Sequence, residues 1–247
     1  MNKSKSQVFN IYNLPETPNV CEQILREAIR LRLVSMAHVI MDKGNISLLH
    51  KHNQMNEIYF VLEWEGILYK GDEAIEVFKG TFVSIPKGIP HKLKNVGTGN
   101  LEHLVFASPP FNPQDVFLVK DEQKEPGSKI RYNSLNKKPF IAMDGASVYE
   151  LDSQEERAEN GFAFAYGTLS PKRKALKHFH KISDEIYYII SGKGNINLDD
   201  SIYPIKKGSV VYVPINTIHG LENTESEDLE VLCLSSPPYQ DNDFILV

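Results

Sequence analysis

The chain has 247 residues, 41% of them hydrophobic and 24% charged, with a formal net charge of −5. No apolar run approaches the roughly 20 residues that span a bilayer, and no sustained basic stretch offers itself to nucleic acid or an anionic membrane. Those partners are excluded on this reading, and a small molecule is the expected ligand.

The chain opens on a polar stretch, Met1-Asn2-Lys3-Ser4-Lys5-Ser6-Gln7, with no apolar signal core behind it, so a cytoplasmic location is the default expectation. Cys21 and Cys233 are the only cysteines. They stand in no metal-type spacing and are expected as buried free thiols. Cys21 to Leu33 mixes apolar Ile24, Ala28, Leu31 and Leu33 with charged Glu22, Arg26, Glu27 and Arg30, a pattern open to a short helix or a first strand. From there on, short β-branched and aromatic runs bounded by turn residues predict strands. They are Ile58 to Leu62, Thr81 to Ile85, Ile186 to Ile190 and Ser209 to Val213.

The chain is also written twice. A shift of 128 residues lays residues 34–119 on 162–247 with 25 identities in 86 positions and no gap. Periods of this kind are decisive for fold. The offset predicts an N-terminal barrel over 1–119, a charged Pro-Gly-containing linker over 120–133, and a C-terminal barrel over 134–247. Short strands at near-regular spacing point to a closed antiparallel, jelly-roll type architecture in each copy. The apolar terminal segments Val116 to Val119 and Phe244 to Val247 are expected to close sheets; a homodimer is an expectation that no residue pattern derives.

Six of the eight histidines fall at matching places: His50, His52 and His91, then His178, His180 and His219. In an extended strand His-x-His puts both rings on one face, so two nitrogens can converge on one ion. Glu57 and Glu185 follow five residues later, after a tight turn, and add a carboxylate. A lone His-x-His is more often core than ligand, but a four-residue set recurring at one offset predicts a metal site in each copy. Three imidazoles and a carboxylate suit Fe(II), Mn(II), Ni(II), Zn(II) or Cu(II). Tyr59 and Tyr187 share the face of the two glutamates and are the candidate catalytic acids, with aromatic core packing as the alternative. His38 and His103 lie outside the repeated set and are expected to be structural or surface residues rather than catalytic ones, with a place in the first cavity wall open to His38.

These residues resemble the cupin superfamily, in the two-barrel form called bicupins. Its first motif has the form G-x5-HxH-x3,4-E-x6-G and its second G-x5-P-x-G-x2-H-x3-N. The first copy supplies Gly44, His50, His52, Glu57, Gly80, Pro86, Gly88, His91 and Asn95, with Trp64 where motif one ends in glycine. The second supplies His178, His180, Glu185, Gly192, Gly208, Pro214, His219 and Asn223, with Lys172 and Asn216 in place of glycines. The resemblance implies an all-β fold of two tandem double-stranded β-helix barrels. By the same resemblance the chain is a metal-dependent dioxygenase, decarboxylase, isomerase or epimerase, or else a non-catalytic small-molecule binder. Oxygen-dependent oxidation, with iron, stands slightly ahead. Because Trp64 adopts a positive φ only at a cost, the turn there is expected to differ from its glycine counterpart.

Overall fold

The structure, a computed structural model, describes residues 5–21, 23–121, 129–131 and 133–247. Residues 1–4 of the polar N-terminal stretch and most of the central linker lie outside it. Among the described residues the fold is all-β apart from one helix, Gln154–Asn160, and three single-turn 3-10 segments. The helix is short but well begun. Ser153 accepts from the Glu156 amide while the Glu156 carboxylate accepts from the Ser153 amide, and Gly161 at φ 75° ends it.

Two compact units result, Leu14–Asn136 and Lys137–Val247 together with Met1–Asn13. In the first, Ile24–Arg30, Ser35–Met41, Leu101–Ser108, Asn56–Glu63 and Phe82–Ile85 form one sheet. Its second sheet runs Phe117–Leu118, His50–Lys51, His91–Asn95, Glu65–Lys70, Glu73–Phe78 and Ile130–Arg131. The ambiguous segment after Cys21 is therefore a strand. Alternation along these strands sends Val39, Met41, Tyr59, Val61, Leu68, Val77, Val83 and Leu93 inward to a common core. The other unit repeats the plan, with Tyr187, Ile189, Ile196, Val211, Val213 and Val231 in the equivalent core.

The edges of the barrels correct the expected boundaries. Gln7–Asn10 pairs antiparallel with Ser209–Tyr212 and so completes a sheet of the C-terminal unit, not of the N-terminal one. In the other unit the matching edge strand, Phe82–Ile85, is covered by Ser134, whose Oγ accepts from the Phe82 amide at 2.8 Å and donates to the Phe82 carbonyl at 3.2 Å. The two covering segments are alike. Asn10 Oδ1 accepts from the Tyr12 amide as Asn133 Oδ1 does from Leu135, and Tyr12 packs on Gly208 as Leu135 packs on Gly80. Each barrel is thus closed by the segment that precedes the other barrel in sequence, which masks backbone groups that an open edge leaves unpaired. Ile130–Arg131, expected as linker, pairs parallel with Ile75 and Glu76.

The terminal segments behave as expected in part. Phe117–Leu118 pairs with His50–Lys51 and Phe244–Leu246 with His178–His180, so each closes its own sheet. The turn at Trp64 does not differ from its counterpart. Trp64 takes φ 64° where Gly192 has 82°, Lys172 takes 60° where Gly44 has 81°, and Asn216 takes 59° where Gly88 has 83°. Backbone geometry is held by the ladders on either side, and three non-glycine residues accept the left-handed conformation. The Trp64 ring lies directly over Gly99, where a Cβ would stand 2.3 Å from it.

Candidate metal centres

The register brings the motif residues together. His50 is paired with His91 and His178 with His219 across neighbouring strands, and Glu57 and Glu185 project from the facing sheet. In each unit the four side chains are buried and offer one ligand atom apiece, all within 4.8 Å of one another. All six histidines of the predicted sets fall in one or other of the two clusters.

The rings are aimed by their far nitrogens. His50 Nδ1 donates to the Leu48 carbonyl at 2.8 Å, His52 Nδ1 to the Asp115 carbonyl at 3.0 Å, and His91 Nδ1 to that of Ile89 at 3.1 Å. In the second unit His178 donates to Leu176 at 3.0 Å and His219 to Thr217 at 2.9 Å, while His180 Nδ1 lies 3.7 Å from Asp243 Oδ2. With the proton held on Nδ1 in the other five rings, the Nε2 lone pair is left for the centre of the cluster, while His180 Nδ1 makes no hydrogen bond. The buried Nε2 atoms of His52, His180 and His219 lie 3.3, 3.5 and 2.9 Å from a glutamate oxygen but make no hydrogen bond of good geometry. Four convergent donors, three of them orphaned imidazole nitrogens, fit a divalent cation and explain why such polar atoms are tolerated in the interior.

Charge follows the same logic. Burial raises the Glu57 and Glu185 carboxyls, but the imidazoles of His52 and His91, and of His180 and His219, close against them, outweigh it and hold both well below the usual range. Burial, and then the neighbouring His91 or His219, pushes His50 and His178 down to about 4, so both are neutral at neutral pH and ready to bind an ion. Burial works against the charged form of His52 and His180, yet contact with the glutamates raises both.

The two tyrosines point inward as alternation required. Tyr187 donates to Glu185 Oε2 at 2.7 Å, and Tyr59 to Glu57 Oε2 at 3.4 Å. Burial, then the carboxylate, holds each phenol well above its ordinary value, so both keep their protons.

Sequence reasoning missed two positioning residues, although the repeat displayed them. Asp115 is buried and accepts from the amides of Asn53, Gln54 and Met55 at 3.0, 3.0 and 3.1 Å. Asp243 does the same for Lys181, Ile182 and Ser183 at 2.7, 2.8 and 3.0 Å. Each carboxylate ties down the turn between His-x-His and the glutamate strand. Asn95 and Asn223 are structural: their side-chain amides donate to the carbonyls of Met41 and Leu169, which end Ser35–Met41 and Ala163–Leu169, and to those of Gly99 and Glu227 in the following turns.

A cavity opens on each cluster. The first, about 310 Å³, is walled by residues such as Ile29, Val39, Val105 and Phe111, with Cys21, Tyr59 and His103 as polar members. The second, about 800 Å³, is walled by Phe140, Met143, Phe164 and Phe244, with Asp144, Cys233 and Tyr239. The cysteines are free, as expected, but only half-buried, and each lines a cavity. Cys233 Sγ donates to Glu185 Oε1 at 3.5 Å. His38 is structural, its Nε2 lying 2.7 Å from Glu102 Oε1.

The cupin domain family Cupin_2 matches the chain twice, over 37–106 and 165–235, the stretches that carry the two clusters. The chain belongs to the cupins, as a bicupin. Among curated proteins it is 36% identical to an uncharacterized protein of Methanocaldococcus jannaschii over 115 residues, which is 47% of this chain and 90% of that protein. It is 34% identical to an oxalate-binding protein of Thermotoga maritima, covering 44% of this chain and 93% of the relative. Oxalate decarboxylase of Bacillus subtilis is 23% identical over 85% of this bicupin and 69% of its own length. Among solved structures, a Lactobacillus farciminis oxalate decarboxylase in complex with formate superposes with a TM-score of 0.77, covering 100% of this chain and 90% of the other at 16% identity. A structure concerned with the Mn(II) centres of the Bacillus subtilis enzyme gives a TM-score of 0.73 at 18% identity, over 97% of this chain and 79% of the other. The two solved structures share the two-barrel fold of this chain, and no helix among the described residues is long and apolar enough to cross a membrane.

Proposed function

We propose that this bicupin is a divalent-metal-dependent enzyme that decarboxylates or isomerises a small oxygenated molecule without using oxygen. The observation that carries this reading is the pairing, in each unit, of a buried three-histidine, one-glutamate cluster with a phenol that keeps its proton and touches the ligand carboxylate. His50, His52, Glu57 and His91 would hold one ion, and His178, His180, Glu185 and His219 the other. When bound, the ion supplies a positive centre that polarises a carbonyl or carboxylate oxygen and favours negative charge on the neighbouring carbon.

The chain's own groups do the remainder. Tyr59 and Tyr187 hold the glutamates in one orientation and are the protonated groups that lie on them, suited to hydrogen bonding a substrate oxygen. The apolar walls of the two cavities exclude water, which strengthens each polar contact inside. The sequence reading placed oxygen-dependent oxidation with iron slightly ahead. The relatives named for oxalate lean toward non-oxidative chemistry instead, and manganese is the metal named with one of them.

The experiment is metal analysis of the purified protein beside His50→Ala and His178→Ala, followed by assays of the metal-loaded chain. Carbon dioxide release from oxalate and deuterium uptake from solvent into α-hydroxy ketones are followed with and without oxygen. Two metal equivalents, reduced to one in each variant, with turnover indifferent to oxygen, is the expected result. Metal that cannot be loaded, or turnover that consumes oxygen, sinks the reading.

A further inference from the structure

His103 is the residue of the first cavity that neither the metal cluster nor the fold accounts for. It sits inward on Leu101–Ser108, opposite Val61 and Val39, and is only 3% exposed. It lines the cavity with its ring centroid 5.1 Å from that of Tyr59, and its buried Nδ1 has no hydrogen-bond partner. Buried polar groups of this kind are nearly always satisfied, and leaving one unpaired is costly. The fold does not require it, because the second unit carries Val231 at the matching position, 4% exposed and packed in the core. Burial, and then the nearby His38, pushes the His103 imidazole down to about 3, so it is neutral at neutral pH.

The surroundings restrict what such a group can meet. At about 310 Å³ the cavity suits a small molecule. Its outlying charges, Glu27 and Arg30, are exposed and opposite in sign, and the Arg30 Nη1 donates to the Phe111 carbonyl at 2.8 Å. Deeper in, the polar members of the wall are the Cys21 thiol and the Tyr59 phenol. An imidazole beside a phenol pairs with hydroxyl or carbonyl oxygen.

We propose that the first cavity binds a neutral polyhydroxylated carbonyl compound, and that His103 selects it by hydrogen bonding a hydroxyl beyond the oxygen pair presented to the metal cluster. The inference rests on the metal-centre reading above and names the ligand class of that site. His103 acts here as a specificity residue.

The test uses the full-length chain carrying His178→Ala, loaded with Mn(II), so that calorimetric titration reads the first cavity. The probes are dihydroxyacetone and hydroxyacetone, which differ by one hydroxyl. The parent is expected to prefer dihydroxyacetone about tenfold, the effect of one hydrogen bond between neutral groups. In His103→Phe and His103→Val the two probes bind equally, with first-centre metal unchanged and Tm equal or higher, because an unpaired polar group has been removed. His103→Gln restores part of the preference. An identical preference in parent and variants overturns the proposal, as does failure of the loaded parent to bind dihydroxyacetone. A parent whose first centre takes up no metal overturns the metal-centre reading itself, a result that metal analysis separates from the other two.

Discussion

The hydroxyl of Tyr187 donates to Oε2 of Glu185 at 2.7 Å. The equivalent contact in the first unit, Tyr59 to Glu57, measures 3.4 Å, so the two carboxylates are not equally supported. Partners of this kind orient metal ligands and commonly contribute 10- to 100-fold to affinity. Tyr187→Phe is therefore expected to weaken metal binding at the second centre by about tenfold. Tyr59→Phe should weaken the first by only about twofold. Chelator competition on each variant measures both, and equal effects would contradict the geometry.

Asp115 and Asp243 each satisfy three backbone amides of a buried turn. Asp243→Ala leaves those donors unpaired and should lower the stability of the metal-free protein by about 3 kcal/mol, with Asp243→Asn losing roughly half as much. Urea unfolding gives the number. The shorter contacts at Asp243 predict a larger loss there than for Asp115→Ala.

Acid should destabilise the metal-free protein well before the carboxylates titrate. His50 and His178 fall to about 4 and His103 to about 3 in the folded chain, from 6.5. Between those values and 6.5 the unfolded chain binds protons that the folded chain does not, so stability rises with pH across that window. Glu57 and Glu185, depressed on folding, contribute stability above 4.5 that is lost as pH falls toward their folded values. His52 and His180 run the other way: their contribution is complete below 6.5 and fades as pH rises through their raised values. Urea midpoints should therefore peak near neutrality and fall from pH 6.5 to pH 4.5, with about three protons taken up on unfolding. In His103→Phe the slope should flatten by about a third.

Metal removal should cost stability in two separable steps. A ligand present at 100 times its Kd stabilises the folded state by about 2.7 kcal/mol. Chelation of wild type is expected to lower Tm, and His50→Ala should remove only the first unit's share, leaving a response that His178→Ala abolishes. A Tm indifferent to chelator in metal-loaded protein would mean that neither cluster holds an ion.

The sequence by itself determined the duplication, the strand-rich character and all eight members of the two histidine–glutamate clusters, because a 128-residue offset and a two-residue strand period are properties of the linear chain. It also displayed Asp115 and Asp243 as an aligned pair, though not their role, since a carboxylate capping distant amides has no local signature. Tertiary structure decided the rest. That Gln7–Asn10 closes the C-terminal unit while Ser134 closes the N-terminal one depends on which edge is left open, a non-local matter of backbone pairing. That Trp64 keeps the conformation of a glycine follows from ladders on either side, which fix a φ the residue alone disfavours. His103 and Val231 occupy one position of the repeat and differ in chemistry. Only packing shows that the imidazole sits buried, beside Tyr59 and without a partner for Nδ1, because burial and hydrogen-bond satisfaction are set by neighbours far away in the chain.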